Sequence, residues 1–461
     1  MNGLSDIKQV YFLGIGGIGM SALARWFSHA GFPVSGYDRS GTELTKALVA
    51  EGIDVHYTDE PELIASTLNK ETCLVVFTPA VPAELGERIF LEQNGFRMKK
   101  RSQVLGMICD TGRTLAVSGT HGKTTVSTMT AHILKSSSVD CSAFLGGISK
   151  NYQSNLLLSS TSNWVVAEAD EFDRSFLQLH PDFAVVTSMD ADHLDIYGDH
   201  AAIQKSFREF VGQIKTGGAV VAKKGLPLTE EDNPDIRHYT YSREERADFY
   251  ASAVVLKDEA YHFNLNHPFG IIEDMVLNYP GLLNVENAVA ASALALLAGV
   301  SADEIKVAIA TYQGVKRRFD IRYRSSKYIL IDDYAHHPEE LKATISSVKA
   351  MFADRWVTGI FQPHLYSRTK DFSADFAREL SQLDQVLLLD IYPAREKPIP
   401  GVTSNLIFEN IECSAKQLLA KADLKKAALS LKPGVVLMMG AGDIENLVEP
   451  VEQAIKQIEH G

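Results

Sequence analysis

Two apolar stretches of this chain break off into glycine turns that open directly into helical sequence: KQVYFLGIGGIGMSALARWF, beginning at Lys8, and TLAVSGTHGKTTVSTMTAHILK, beginning at Thr114. A buried strand that stops at glycines and restarts at helical spacing is one half of a strand–helix–strand unit, and repetition of that unit predicts an α/β fold built on parallel sheets. After the first turn, MSALARWFSHAG reads as helix, PVSGYD as strand, ELTKALVAEG as helix, and DVHY and CLVVFTPAV as strands. A second segment runs from TLAVSG through NWVVAEAD and DFAVVTSM to the Ala-rich helix VENAVAASALALLAGV. A third follows GVKRRFD with KYILIDDYAHHP, WVTGIFQPH, QVLLLDIYP, GVVLMMGAGD and a terminal helix. With 461 residues and about 150 residues per core, three domains are expected, at 1–110, 111–315 and 316–461.

Composition excludes several classes. No apolar run approaches the roughly 20 residues of a membrane helix, and MNGLSDIKQVYFLGIGG lacks the basic n-region of a signal peptide, so a cytoplasmic protein without a membrane partner is expected. Cys73, Cys109, Cys141 and Cys413 lie far apart without CxxC spacing, arguing against a disulfide framework or a zinc site. A net charge of −13 disfavours nucleic acid, so any phosphate has to be held locally.

Gly14, Gly16 and Gly19 satisfy GxGxxG between strand and helix, and Asp38 closes the next strand. Glycines let the backbone approach a diphosphate, and the helix N-terminus supplies N–H donors. A dinucleotide, another nucleotide diphosphate and a purely structural turn all fit that motif. The second turn, Gly119-Thr120-His121-Gly122-Lys123-Thr124-Thr125, is a shortened phosphate loop, since a full GxxxxGK[ST] would need glycine where Val117 stands. Its backbone would wrap phosphates, with Lys123 against the β/γ oxygens and the Thr124 hydroxyl on Mg²⁺; the alternative is a helix start with a solvated lysine.

GTHGKTT, with EADEFDRSFL (168–177), DADHLDIYGD (190–199), GVKRRFD (314–320), DDYAHHP (332–338) and QPHLYSRT (362–369), resembles the Mur ligase family of peptidoglycan synthesis over nearly the whole chain. The resemblance implies a Rossmann-like UDP-sugar domain, a central P-loop ATPase domain and a Rossmann-like C-terminal domain that binds the amino acid. It also implies joining of L-alanine to the lactoyl carboxylate of UDP-N-acetylmuramate through an acyl phosphate, with ATP and two Mg²⁺ ions, in a monomer or weak homodimer. Gly14, Gly16, Gly17, Ile18, Gly19, Asp38 and Arg101 then fall to the UDP-sugar.

Glu168 ends a buried strand and is the implied metal ligand, with Asp170 and Glu171 either supporting it or solvated. His193, among Asp190, Asp192 and Asp195, is implied at the second metal; Lys205 is not assigned the carbamylated-lysine role found in some members. Asn284 and Asn287 are candidates for reading adenine, although Asn284 equally suits a helix cap, and Leu283 stands where members often carry histidine. Arg318, rather than Arg317, is the linker cation implied to reach phosphate, with Asp333 nearby on the nucleotide. Tyr334, His336, His364 and Arg368 are implied at the amino acid, whose carboxylate suits a guanidinium fork. Leu365 replaces a second family arginine. The amine proton is left to His336, His193 or solvent. A small pocket separates alanine from glycine or serine by only about 1–3 kcal/mol.

Overall fold

The computed structural model describes residues 6–190, 197–394 and 396–460, and these form three sheets. In the first, β1 (Gln9–Leu13), β2 (Val34–Tyr37), β3 (Asp54–His56), β4 (Cys73–Phe77) and β5 (Arg97–Lys100) are all parallel in the order β3-β2-β1-β4-β5. Successive side chains of a strand point to opposite faces, and here both faces are covered. Val10 and Phe12 pack with Leu23 and Phe27 of the helix Ile18–His29, whereas Tyr11 and Leu13 pack with Ile64 and Leu91 on the other side. That is why QVYFL and CLVVF read as unbroken apolar runs. β5, with the sequence RMKK, is a charged edge strand carrying no apolar signal, and the sequence reading passes over it.

The second sheet contains β6 (Arg113–Ser118), β7 (Ser142–Ser149), β8 (Ser154–Leu157), β9 (Trp164–Ala169), β10 (Phe183–Val186), β11 (Ala219–Lys223), β12 (Arg237–Ser242), β13 (Phe249–Lys257), β14 (Ala260–His267) and β15 (Gly270–Leu277). Their order is β15-β14-β13-β12-β11-β10-β6-β9-β7-β8, parallel from β7 through to β13, with β8 antiparallel to β7. The Ala-rich helix Leu283–Leu297 is buried almost all round, as its lack of a polar face requires.

The third sheet, β16 (Asp320–Arg324), β17 (Tyr328–Asp333), β18 (Val357–Phe361), β19 (Gln385–Leu389), β20 (Ala415–Leu419) and β21 (Gly434–Met439), has the order β16-β17-β21-β18-β19-β20. It is parallel apart from β16. Ile329 and Ile331 enter one of its two cores, Tyr328 and Leu330 the other.

The chain divides into two compact units, one running to Val255 and including His262–Leu277 and Glu286–Gln313, the other comprising Leu256–Tyr261, Asn278–Val285 and the chain from Gly314 onward. The first unit holds two sheets because one apolar core passes through both, from Phe12 and Phe27 to Phe144, Phe176 and Phe207. Asn155 on β8 pins the same joint. Fully buried, it donates to the Ile18 carbonyl at 2.5 Å and Ser21 Oγ at 3.0 Å, and accepts from Arg25 at 2.6 Å. Among the described residues no helix is long and apolar enough to cross a membrane.

Asn155→Ala removes three hydrogen bonds from this joint, and a loss of about 2–3 kcal/mol is expected in denaturant unfolding. A second prediction concerns Glu87, fully buried beneath the first sheet, which accepts from the Tyr11 hydroxyl and meets His56 Nε2 at 2.7 Å. That hydrogen bond lifts the His56 pKa above its ordinary 6.5. The pair's stabilisation is therefore complete below about pH 6.5 and fades as pH rises through the raised value; Glu87→Gln should flatten that slope in melting temperature against pH.

Candidate functional site

β6 ends at Ser118 and the chain turns through Gly119–Gly122 into the helix Lys123–Lys135. Gly119 has φ +131°, and a Cβ there would lie 2.0 Å from Thr187 Oγ1, so no other residue fits. The loop leans on the neighbouring strand end after β10. Thr187 N–H donates to the Ser118 carbonyl at 2.9 Å, and Ser188 Oγ accepts the His121 N–H at 2.8 Å and lies 2.8 Å from Thr120 Oγ1. Sequence reasoning did not single out Thr187 and Ser188; their signal is a pair of hydroxyl residues at a strand end one sheet position away.

Lys123 Nζ donates to the Gly119 carbonyl at 2.7 Å and to Glu171 at 2.9 and 2.7 Å. Burial would drive its proton off, but Glu171, Asp170 and Glu168 more than offset this and hold the ammonium above its ordinary range. Glu171 is 1% exposed, so it is neither solvated nor beside Glu168 in role; it is the counter-ion of Lys123. Glu168 accepts from Thr124 Oγ1 at 3.1 Å and lies against Gly146, where any Cβ would meet its carboxylate at 2.2 Å. Thr125 is buried in the first turn of the helix, and Asn287 Oδ1 lies over Gly122, 3.3 Å from where its Cβ would be.

At the first glycine turn, Gly14 takes φ +82° and Gly17 caps the helix that Ile18 begins. Asp38 Oδ2 accepts the Gly16 N–H at 2.7 Å, so this carboxylate holds the turn itself. A Cβ on Gly19 would lie 3.0 Å from the Arg101 guanidinium, which stretches across the start of the helix and reaches Asp170 at 3.6 Å.

In the second unit, Asp333 at the end of β17 accepts the backbone N–H groups of Phe319 (2.7 Å) and Ala335 (2.8 Å), binding the arginine segment 317–318 to the sheet edge. Burial pushes neighbouring Asp332 up to about 7, against the pull of Arg317. Arg318 lies 5.0 Å from the Tyr334 ring centroid and 3.8 Å from Glu340. His336 Nδ1 lies 2.9 Å from the Tyr334 carbonyl, its ring is 5.7 Å from that of His364, and His364 Nδ1 is 3.4 Å from Arg368. Tyr392, not foreseen, stacks on His364 at 5.8 Å. Leu365 takes φ +72° immediately before the helix Tyr366–Leu380. The Asn284 amide donates to the Pro280 carbonyl from the second residue of the helix Leu283–Leu297. His193, Asp192 and Asp195 lie outside the described residues. Lys205 is on an exposed helix face, 77% accessible, beside Glu209.

Family descriptions match in three consecutive blocks: "Mur ligase family, catalytic domain" over 9–113, "Mur ligase middle domain" over 117–295 and "Mur ligase, glutamate ligase domain" over 317–442. UDP-N-acetylmuramate–L-alanine ligase of Porphyromonas gingivalis is 51% identical over 98% of this chain and 100% of its own length. The chain belongs to the Mur ligase family. The ligase of that same description from Parabacteroides distasonis is 50% identical over 99% of both chains. Among solved structures, UDP-N-acetylmuramate-alanine ligase of Thermotoga maritima superposes with a TM-score of 0.82 at 25% identity, covering 98% of this chain and 99% of that one.

Among the described residues, Thr124 Oγ1 at the helix start and Glu168 near the end of β9 are hard oxygen donors that could hold a divalent cation. Among the described residues no group of three His, Cys, Asp or Glu side chains is set to hold a metal unaided. Such a pair suits Mg²⁺, which keeps water and phosphate oxygens in most of its shell. Lys123→Ala removes a preorganised cation and should lower turnover roughly 10²-fold or more, measured well below a separately determined melting temperature because Glu171 loses its ammonium partner.

Proposed function

We propose that the chain joins L-alanine to the lactoyl carboxylate of UDP-N-acetylmuramate, with ATP activating that carboxylate. Relatives that match it from end to end at 50–51% identity carry this activity in their names, and that correspondence carries the reading. The chemistry explains the architecture. An amine does not displace oxide from a carboxylate, so the carboxylate oxygen attacks the γ-phosphorus of ATP, ADP leaves, and phosphate becomes the group the amine later displaces.

Residues divide the work by domain: 1–110 for the UDP-sugar, 111–315 for ATP and 316–461 for the amino acid. Ile18 and Gly19 present N–H groups to the UDP diphosphate at the helix start, Gly14, Gly16 and Gly17 let the backbone come close to it, Asp38 keeps their turn in shape through the Gly16 N–H, and Arg101 adds a cation. The Gly119–Thr125 loop wraps the ATP phosphates, Lys123 and Arg318 neutralise charge on the transferring phosphoryl group, and Asn287 and Asn284 serve the adenosine side. Thr124, Glu168 and His193 would hold Mg²⁺, in two ions, which supplies Lewis-acid neutralisation of the phosphate oxygens.

Tyr334, His364 and Arg368 receive the amino acid, Arg368 taking its carboxylate. With Nδ1 bonded to the Tyr334 carbonyl and therefore protonated, His336 keeps a lone pair on Nε2 to accept the amine proton. The tetrahedral adduct then collapses to the amide and phosphate.

Phosphate release is expected only when UDP-N-acetylmuramate, ATP, Mg²⁺ and an amino acid are all present, with L-alanine giving the highest kcat/KM and an amide product by mass spectrometry. Absence of that product with L-alanine, or a preference for a peptide over the free amino acid, would overturn the assignment.

A further inference from the structure

The turn Asp170–Asp173, directly after β9, carries three acids, and each meets a cation. Glu171 grips Lys123 of the phosphate loop; Asp170 faces Arg101 at 3.6 Å; Asp173 meets Lys100 at 2.8 Å. Lys100 and Arg101 belong to the first sheet and the helix after it, so the turn clasps the two nucleotide domains together.

The clasp occupies what both ligands need. All three N–H bonds of the Lys123 ammonium are taken, by the Gly119 carbonyl and both Glu171 oxygens. Arg101 lies across the glycine turn at Gly19. The turn is also held away from relaxed backbone: Asp173 and Arg174 both take left-handed conformations, φ +52° and +53°. The backbone carbonyl of Glu171 is fixed by the Tyr197 hydroxyl at 2.5 Å.

We propose that Glu171 is a positioning residue that latches Lys123 while the sites are empty, and that the 170–173 turn couples the two nucleotide sites. A diphosphate draws Arg101 from Asp170, and a triphosphate draws Lys123 from Glu171. Both ligands therefore favour the released turn, and whichever arrives first bears the cost of opening it. Two ligands that bias one two-state element in the same direction bind with positive, reciprocal coupling. The inference rests on the proposed function for the identity of the two ligands.

The test is calorimetric titration of a non-hydrolysable ATP analogue with Mg²⁺, with and without saturating UDP-N-acetylmuramate. In the unaltered protein Kd for the analogue should fall about fivefold or more when the sugar nucleotide is present. Asp170→Asn and Glu171→Gln should each bind the analogue more tightly in its absence and bring the ratio of the two Kd values toward one, whereas Glu171→Asp should keep the coupling. A merely structural role would lower melting temperature without moving the ratio. A ratio of one in the unaltered protein, or an unchanged ratio in both neutral variants, overturns the coupling. Failure to bind UDP-N-acetylmuramate at all would instead overturn the functional reading on which it rests.

Discussion

A buried ammonium survives only against a carboxylate, and the pairing of Lys123 with Glu171 organises the first unit of this protein. The lysine has to start a helix at the edge of a parallel sheet so that it can face phosphates. Glu171 keeps it charged there, and to do so the chain leaving β9 must fold back over the loop leaving β6. Adjacent parallel strands make that possible, since β6 and β9 are paired from Arg113 with Trp164 to Ser118 with Ala169. The acids that flank the phosphate loop thus arrive by strand pairing rather than by proximity in sequence.

The same logic explains why two anion sites share one unit. Parallel strands send every strand-to-helix turn to one edge of their sheet, and the continuous apolar core fixes the edge of the first sheet relative to that of the second. Asn155 fills the polar part of that joint, satisfying the first turn of the helix that opens at Gly17. The first glycine turn and the phosphate loop consequently open within one compact unit, with Arg101 and Asp170 between them.

Strands buried on both faces, and glycines at turns that admit no side chain, are written plainly in local sequence. QVYFL, TLAVS and YILIDD could be read as strands, and Gly119 and Lys123 as a phosphate loop, because each requirement is met within a few residues. β5 escaped because a charged edge strand has no periodic signal. Thr187, Ser188 and Tyr392 escaped because their contacts cross between strands, and hydroxyl or aromatic residues at strand ends are common without such a role. Asn284 shows a different case, since its amide donates to the Pro280 carbonyl, a contact that neither local reading of the residue contained.

The sequence by itself determined the α/β class, the two glycine turns and, through its ordered motifs, the Mur ligase family, because strand burial, left-handed glycine and helix starts are local constraints. Only the tertiary structure decided what each acid does. It set Glu171 on Lys123, Glu168 on Thr124, Asp38 on its own turn and Asp333 on the linker backbone. A carboxylate's role depends on which donor reaches it first, and that is fixed by strands and helices far apart along the chain.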